Sequence, residues 1–516
     1  MTIVGFVSLV ICAITVVHYY LWRRLIRSTT RPGRVRRVLT WILVGLAVLA
    51  PVTLVASRSE WGHFLAWPGF FWIASMFYLF VFLVVLEIPR AVALLTVRAL
   101  DRRTQSPPEP RKAGAKNKAG AKNEAGARTE AGARTEAGAR TGAGTEAAIG
   151  TEAGTRRTRT RTWTEVGAGI GGAGTPADRI VDEKDGGSGA EADGSGTEVG
   201  GSGTEVGGSG TEVGGVIVVP GAGGTPPAAD APTRTGITRR LFIARTAAAA
   251  AGAGALGAVG YGVRTALGDP VIERVGVVLP RLDPRLNGLR FAVVSDIHLG
   301  PLTGVAHTRR IVRMINSLEA DVVAVVGDLV DGTVAELGPL ARPLRDLESR
   351  YGAYFVTGNH EYYTANGPAE WVEELRGLGV RPLGNERVEI AHAGAVLDLA
   401  GVNDIGGTPS GDGPDFERAL GGRDRSRTTV LLAHQPVQAV QASGYGVDLQ
   451  LSGHTHGGQM VPFNLVIPLQ QPVVSGLGEV GGTRVYVTRG AGFWGPPVRV
   501  GAPPEITLLE IRNEKL

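Results

Sequence analysis

Leu289-Arg-Phe-Ala-Val-Val-Ser-Asp296-Ile-His298 reads as a buried strand running straight into Asp-x-His. Open α/β sheets place their ligands at the carboxyl ends of strands. Period-2 alternation predicts that Asp296 and His298 project to the same side. One carboxylate and one imidazole suit a borderline divalent metal. A second strand, Asp321-Val-Val-Ala-Val-Val-Gly327-Asp328-Leu-Val-Asp331, also ends in an acidic turn. Between them Thr308 to Leu318 carries Ile311, Met314, Ile315 and Leu318 at helical spacing. This is a β-α-β unit, so the strands are expected parallel, with both aspartates at one edge.

Three more strand ends carry the same residue types. Tyr354-Phe-Val-Thr-Gly358-Asn359-His360-Glu361 ends in Gly-Asn-His-Glu, Val430-Leu-Leu-Ala-His434-Gln-Pro436 in His, and Leu449-Gln-Leu-Ser-Gly453-His454-Thr-His456 in His-x-His. A lone histidine after a strand is usually a hydrogen-bonded core or surface residue, and one Gly-Asp is only a turn. Five such strand ends in succession have no comparable structural explanation. Burying so many titratable groups without a cation is costly, and no Lys/Arg cluster stands beside them. The single cysteine, Cys12, excludes an intrachain disulfide and a Cys-based zinc cluster. Any metal must therefore be held by His, Asp, Asn or Glu.

In this order DIH, GDLVD, GNHE, AHQP and GHTH resemble the calcineurin-like metallophosphoesterase superfamily over about 288–511. The tail, GHTHGGQMVP and then RGAGFWGPPVRVGAPPEITLLEI, resembles its bacterial membrane-associated or twin-arginine-exported branch. The resemblance implies a four-layer α/β (α+β) domain, a β-sandwich flanked by helices, with the site at strand ends. It implies two divalent metal ions, with manganese, zinc or iron as candidates. One would be held by Asp296, His298, Asp328 and His456, the other by Asp328, Asn359, His434 and His454, with Asp328 bridging. His360 would act as general acid or stabilise the transition state, oriented by Asp331. Some relatives carry an arginine directly after the second aspartate of GDxxD, where it grips phosphate; here that position is Gly332. This leaves the choice between monoester and diester open.

The first half of the chain reads differently. Apolar runs cover Ile3 to Trp22, Val38 to Ala56 and Ala66 to Leu86, each about the 20 residues a helix needs to cross a bilayer. The loop after the first run, RRLIRSTTRPGRVRR, holds seven arginines, which predicts a cytoplasmic position. Leu86 to Arg103 reads as an amphipathic helix at the inner surface. A fourth segment opens with Thr238-Arg239-Arg240 before an Ala/Gly run ending near Val263, resembling a twin-arginine signal placed mid-chain. Its Gly252-to-Gly257 match to G-x-G-x-x-G follows no strand, so a dinucleotide turn is rejected. If the segment crosses, everything after it is extracytoplasmic.

The expected organisation is a membrane region over 1–103 with three transmembrane helices, a low-complexity repeat linker over 104–236, a signal-anchor segment over 237–265 and the phosphoesterase domain over 266–516. The linker repeats AGAKNE-like hexads and GSGTEVG heptads. These offer too little apolar surface to offset chain entropy, which predicts disorder. The net charge of +5 falls largely beside the apolar runs, so a membrane explains it and no nucleic-acid partner is expected. The expected partners are the lipid bilayer and a phosphoester substrate, possibly a lipid-linked one. Lipid-headgroup or cell-envelope phosphoesters follow from location alone. The alternatives are a nucleotide phosphodiesterase, for which a basic groove is expected, and a membrane scaffold with a structural metal site.

Overall fold

The computed structural model describes residues 3–57, 60–104 and 238–514. The repeat linker expected over 104–236 lies, apart from Thr104, outside them. Five helices open the structure: α1 (Ile3–Leu21), prolonged by a π-helical turn over Trp22–Arg27, α2 (Arg34–Ala56), α3 (Ala66–Val85), α4 (Glu87–Thr104) and α5 (Arg239–Leu267). Four stretches, Ser8–Arg27, Arg34–Ala56, Gly62–Val85 and Arg239–Leu267, are long and apolar enough to cross a membrane by length and composition.

The weak hydrophobicity of α5 has a packing reason. Ala244, Ala251, Ala255, Val259, Gly262 and Ala266 are its buried residues, a stripe of mostly small side chains at helical spacing. Such a stripe lets helix backbones approach closely. Gly254, inside the G-x-G-x-x-G match, lies mid-helix against the ring of Phe82 on α3.

The two ends of the bundle differ chemically. At one end Arg24 and Arg90 both pair with Glu87, and Arg245 on α5 donates to Thr29 O at 3.1 Å. At the other end Gly262 O on α5 accepts from Arg499 N at 2.9 Å, and Phe70 on α3 packs beside Gly495. The globular domain is thus joined to the end of the bundle opposite the arginines.

That domain contains twelve strands: β1 (Val271–Val278), β2 (Arg290–Val294), β3 (Val322–Val326), β4 (Ala353–Val356), β5 (Val380–Pro382), β6 (Glu386–His392), β7 (Ala395–Gly401), β8 (Thr429–Leu432), β9 (Leu449–Ser452), β10 (Gly476–Val480), β11 (Thr483–Val487) and β12 (Glu505–Arg512). They form two six-stranded sheets, β1-β12-β2-β3-β4-β5 and β10-β11-β9-β8-β7-β6. Helices α6 (Val305–Asn316), α7 (Val334–Ala341) and α8 (Ala369–Gly377) follow strands of the first sheet. Helices α9 (Phe416–Leu420) and α10 (Ala439–Gly444) lie between strands of the second.

Alternation along β2 shows why the layers stack. Phe291 and Val293 enter the core shared with Leu399, Leu432 and Leu451 of the facing sheet. Ala292 and Val294 turn outward to Ile311 and Ile315 of α6. On the far side, Leu431 and Ala433 meet Phe416 and Ala442. The result is the expected helix, sheet, sheet, helix order, a β-sandwich flanked by helices. The expected β-α-β unit is present, with β2 and β3 parallel and α6 between them.

One strand precedes the first motif: β1 pairs in parallel with β12 from Val271↔Glu505 onward. It is an edge strand, and its charged Glu273 and Arg274 mask it, as edges commonly are masked.

Candidate metal centre

The carboxyl ends of β2, β3 and β4 are neighbours in one sheet, and those of β8 and β9 are neighbours in the other. All five bring their Asp, Asn and His side chains together around one space. The side chains are not aimed there by strand pleat, as period-2 reading predicts, because β2 already ends at Val294. Left-handed backbone turns do the aiming instead. Asp296 (φ 51°), His298 (φ 48°), Asp328 (φ 51°), His454 (φ 71°) and His456 (φ 50°) all have positive φ. That is uncommon for residues with a Cβ and collects at functional sites.

The glycine preceding Asn359 is required by close approach. A Cβ on Gly358 would stand 2.2 Å from Asp328 Oδ1. Likewise a Cβ on Gly453 would stand 2.4 Å from Asp296 Oδ2. Gly358 lets the turns after β3 and β4 meet within the first sheet, and Gly453 lets the loop after β9 of the second sheet close on Asp296 of the first.

The structure brings all nine sequence-predicted residues together. Asp296, His298 and His456 form one tripod of facing ligand atoms, and Asp328, His434 and His454 form another. In the first, His456 Nε2 lies 3.0 Å from His298 Nε2 and 3.3 Å from Asp296 Oδ1. In the second, Asp328 Oδ2 lies 3.2 Å from His434 Nε2, and Asn359 Oδ1 is 2.9 Å from His454 Nδ1. Asp328 Oδ2 is also 3.9 Å from His298 Nε2, so it stands between the two sets.

The donor set fits two divalent cations. Buried His434 Nε2 faces Asp328 Oδ2 at 3.2 Å without the geometry of a hydrogen bond, and its Nδ1 is taken by Val326 O at 2.8 Å. An orphaned nitrogen among carboxylates is what a ligand nitrogen looks like from the protein side. Asp331 Oδ1 accepts from His298 Nδ1 at 2.9 Å and from His360 Nδ1 at 2.7 Å. That fixes the Nδ1–H tautomer of His298 and leaves its Nε2 lone pair facing the cavity.

The charges explain the titration behaviour. Burial opposes the charged form of His360, but Asp328 and Asp331 outweigh it and lift the imidazole to about 9. Two cations held among these ligands would push it back down. Burial holds His454 at about 3, with the charge of His434 adding to the effect. His456 is likewise held well below its ordinary value by burial and by Arg499. Neutral imidazoles are the form that ligates metal.

Two supporting residues have no role assigned by sequence reading. Glu361, quoted only as the end of Gly-Asn-His-Glu, is fully buried. Its carboxylate accepts from the backbone N–H of Leu329 at 2.7 Å, Gly358 at 2.6 Å and Asp328 at 3.1 Å. It therefore ties the Gly-Asp turn to the Gly-Asn turn. Arg499, also fully buried, donates from Nη1 to His456 O and from Nε to Gly492 O, both at 2.9 Å. Glu361→Ala should orphan at least three buried donors, at about 1–3 kcal/mol each before relaxation. The thermal midpoint should fall by roughly 5 °C or more. A variant melting with the parent would show that water replaces the carboxylate.

At Gly332, where some relatives carry the phosphate-gripping arginine, a side chain would have to displace the ends of two neighbouring side chains. A Cβ there would meet Glu336 Oε2 at 2.8 Å and Leu337 Cδ1 at 3.0 Å. Beyond the last motif, Phe493 is core and Trp494 half-exposed. The Trp494 ring lies 6.3 Å from that of His360.

A family model described as calcineurin-like phosphoesterase matches residues 289–458. A Bos taurus protein named transmembrane protein with metallophosphoesterase domain is 43% identical over 260 residues, covering 48% of this chain and 58% of its own. Its Danio rerio namesake is 40% identical over 262 residues, covering 49% and 60%. A Helicobacter pylori protein named uncharacterized metallophosphoesterase is 38% identical over 262 residues, covering 50% and 68%. The chain belongs to the calcineurin-like metallophosphoesterase family. It spans about three fifths of the length of the two transmembrane relatives it matches.

Proposed function

We propose that this chain is a membrane-anchored phosphoester hydrolase acting on lipid-headgroup or cell-envelope phosphoesters at the extracytoplasmic face. The observation that carries the hydrolase reading is the pair of ligand tripods meeting at Asp328, with the His360–Asp331 pair alongside. When bound, two divalent cations supply Lewis acidity toward phosphoryl oxygens and a water acidic enough to ionise near neutral pH. The chain's own part is positioning and proton transfer. Asp328 holds one charge between the two ligand sets. Asp331 orients His360, whose Nε2 lies 4.0 Å from Asp328 Oδ2 at the cavity edge. From there it can donate a proton to a leaving alkoxide.

The sidedness follows from charge. The arginine-rich loop and the first turn of α5 share one end of the bundle, and arginines favour the cytoplasmic side. The catalytic domain joins the opposite end, which favours the outside. The test uses the full chain in detergent. Metals are stripped with a chelator, then manganese, zinc or iron is restored and an aryl phosphodiester and monoester are assayed. Turnover should fall at least about 100-fold on stripping and return with metal. Undiminished turnover by stripped protein would sink the proposal, and the diester-to-monoester ratio reads the consequence of Gly332.

A further inference from the structure

From Met460 to Val474 the chain runs MVPFNLVIPLQQPVV, fifteen residues without one charged side chain, although 20% of the whole chain is charged. The run begins four residues after the metal ligand His456. Its middle part, Val461–Leu469, does not enter the core. Leu465 is 73% exposed and Leu469 83%, and Val461, Phe463 and Val466 are exposed too. Contiguous apolar exposure on this scale marks an interaction surface.

The position of this surface relative to the bundle says what covers it. Met460 packs with Val500 in the cluster formed by Tyr78 of α3 and Val259 of α5. Val461 N bonds Val500 O at 3.0 Å, and the adjacent Arg499 N bonds Gly262 O of α5 at 2.9 Å. In α5 no charge occurs between Arg245 and Arg264. Those eighteen uncharged residues span about 27 Å, close to the thickness of a hydrocarbon core. Arg264 thus marks the boundary of the bilayer, and the contact at Gly262 lies at that boundary. Exposed Trp67, Phe71 and Tyr261 belong to the same ends of α3 and α5, as expected of an interfacial aromatic belt. The apolar run therefore starts at the lipid surface.

It is also tied to the catalytic mouth. Gly458 has no room for a Cβ because Asn464 of the run folds back on it. Gln459 is bonded both ways to Trp494, whose N donates to Oε1 at 2.9 Å and whose O accepts from Nε2 at 2.8 Å. The ring of Trp494, 53% exposed, stands edge-on to His360, as that of Tyr363 does.

We infer that Val461–Leu469, with Trp494, is a rim inserted into the lipid leaflet beside the bundle, which lays the metal centre on the bilayer and gives it phosphoester lipids without their leaving the leaflet. The partner is the acyl and glycerol layer of that leaflet. The substrate claim rests on the hydrolase reading above; the insertion claim does not.

The test uses the full chain in phosphatidylcholine/phosphatidylglycerol vesicles. In a Cys12→Ser background, Leu465→Cys and Leu469→Cys carry a small fluorophore, and lipids brominated high on the acyl chain are added. Both positions should be quenched. Arg425→Cys, exposed on the loop before β8 and so at the opposite end of the strands from the site, should not be. Labels at 465 and 469 no more quenched than at 425 overturn the insertion. In parallel, Leu465→Glu with Leu469→Glu should lower turnover of vesicle phosphatidylglycerol at least about tenfold. Turnover of soluble bis(4-nitrophenyl) phosphate should stay within about twofold. An equal fall on both substrates, or on neither, overturns the role in lipid access. A parent inert on both substrates overturns the hydrolase reading, while the quenching still decides the loop.

Discussion

Asp328→Asn should lower kcat on any phosphoester by on the order of a thousandfold, while the protein keeps its fold. The fold argument comes from hydrogen bonding. His360 N donates to Asp328 Oδ1 at 2.9 Å, and an amide oxygen in that place accepts the same bond. The backbone N–H of Asp328 stays bonded to Glu361. What the change removes is charge. Asp328 is the carboxylate placed between the tripods, 3.2 Å from His434 and 3.9 Å from His298. Two dications in one cavity repel each other strongly at low dielectric, and a shared anion offsets that repulsion. The neutral amide cannot. Bound metal should fall from two per chain to about one or fewer, measured by elemental analysis after gel filtration. Retention of two metals with near-parental kcat would show that Asp328 is not the bridge.

The main layers and the cavity were legible because the sequence writes them locally. A β-branched run ending in Asp, Asn or His states both a strand and what lies at its end, as at Val322–Asp328 and Leu449–His456. What was not legible acts through the backbone. Glu361 holds N–H groups about thirty residues away, and nothing in its side chain names those partners. Arg499 sits among Val, Pro and Gly, where a lone arginine reads as surface, yet it is fully buried on carbonyls. The left-handed turns at Asp296 and His298 were hidden for a related reason. Asp and His tolerate positive φ better than most residues, so neither is the glycine that would advertise it. The apolar run from Met460 was silent because hydrophobic residues read as core by default. Only the placement of α3 and α5 beside it makes its exposure meaningful.

His360→Ala should separate two roles that proximity alone leaves joined. His360 is held by Asp331 at 2.7 Å and raised to about 9 by Asp328 and Asp331 against its burial. Those carboxylates favour the imidazolium, the form able to donate, and cations in the tripods move its pKa downward. A proton donor matters in proportion to the basicity of the leaving group. A 4-nitrophenolate leaves without help, whereas a glycerol-type alkoxide does not. The variant should lose about 10²–10⁴-fold in kcat on an alkyl phosphodiester and about tenfold or less on the 4-nitrophenyl diester. The sign in pH follows from the same proton. The acid form is present below the imidazole pKa, so kcat/KM on the alkyl substrate should fall as pH rises through it. In the variant that falling limb should vanish. Asp331→Asn should shift the limb to lower pH, because it removes a carboxylate that favours the imidazolium. Losses of equal size on both substrates, with the alkaline limb unmoved, would instead make His360 a fixed charge that stabilises the transition state, with the leaving oxygen protonated from water.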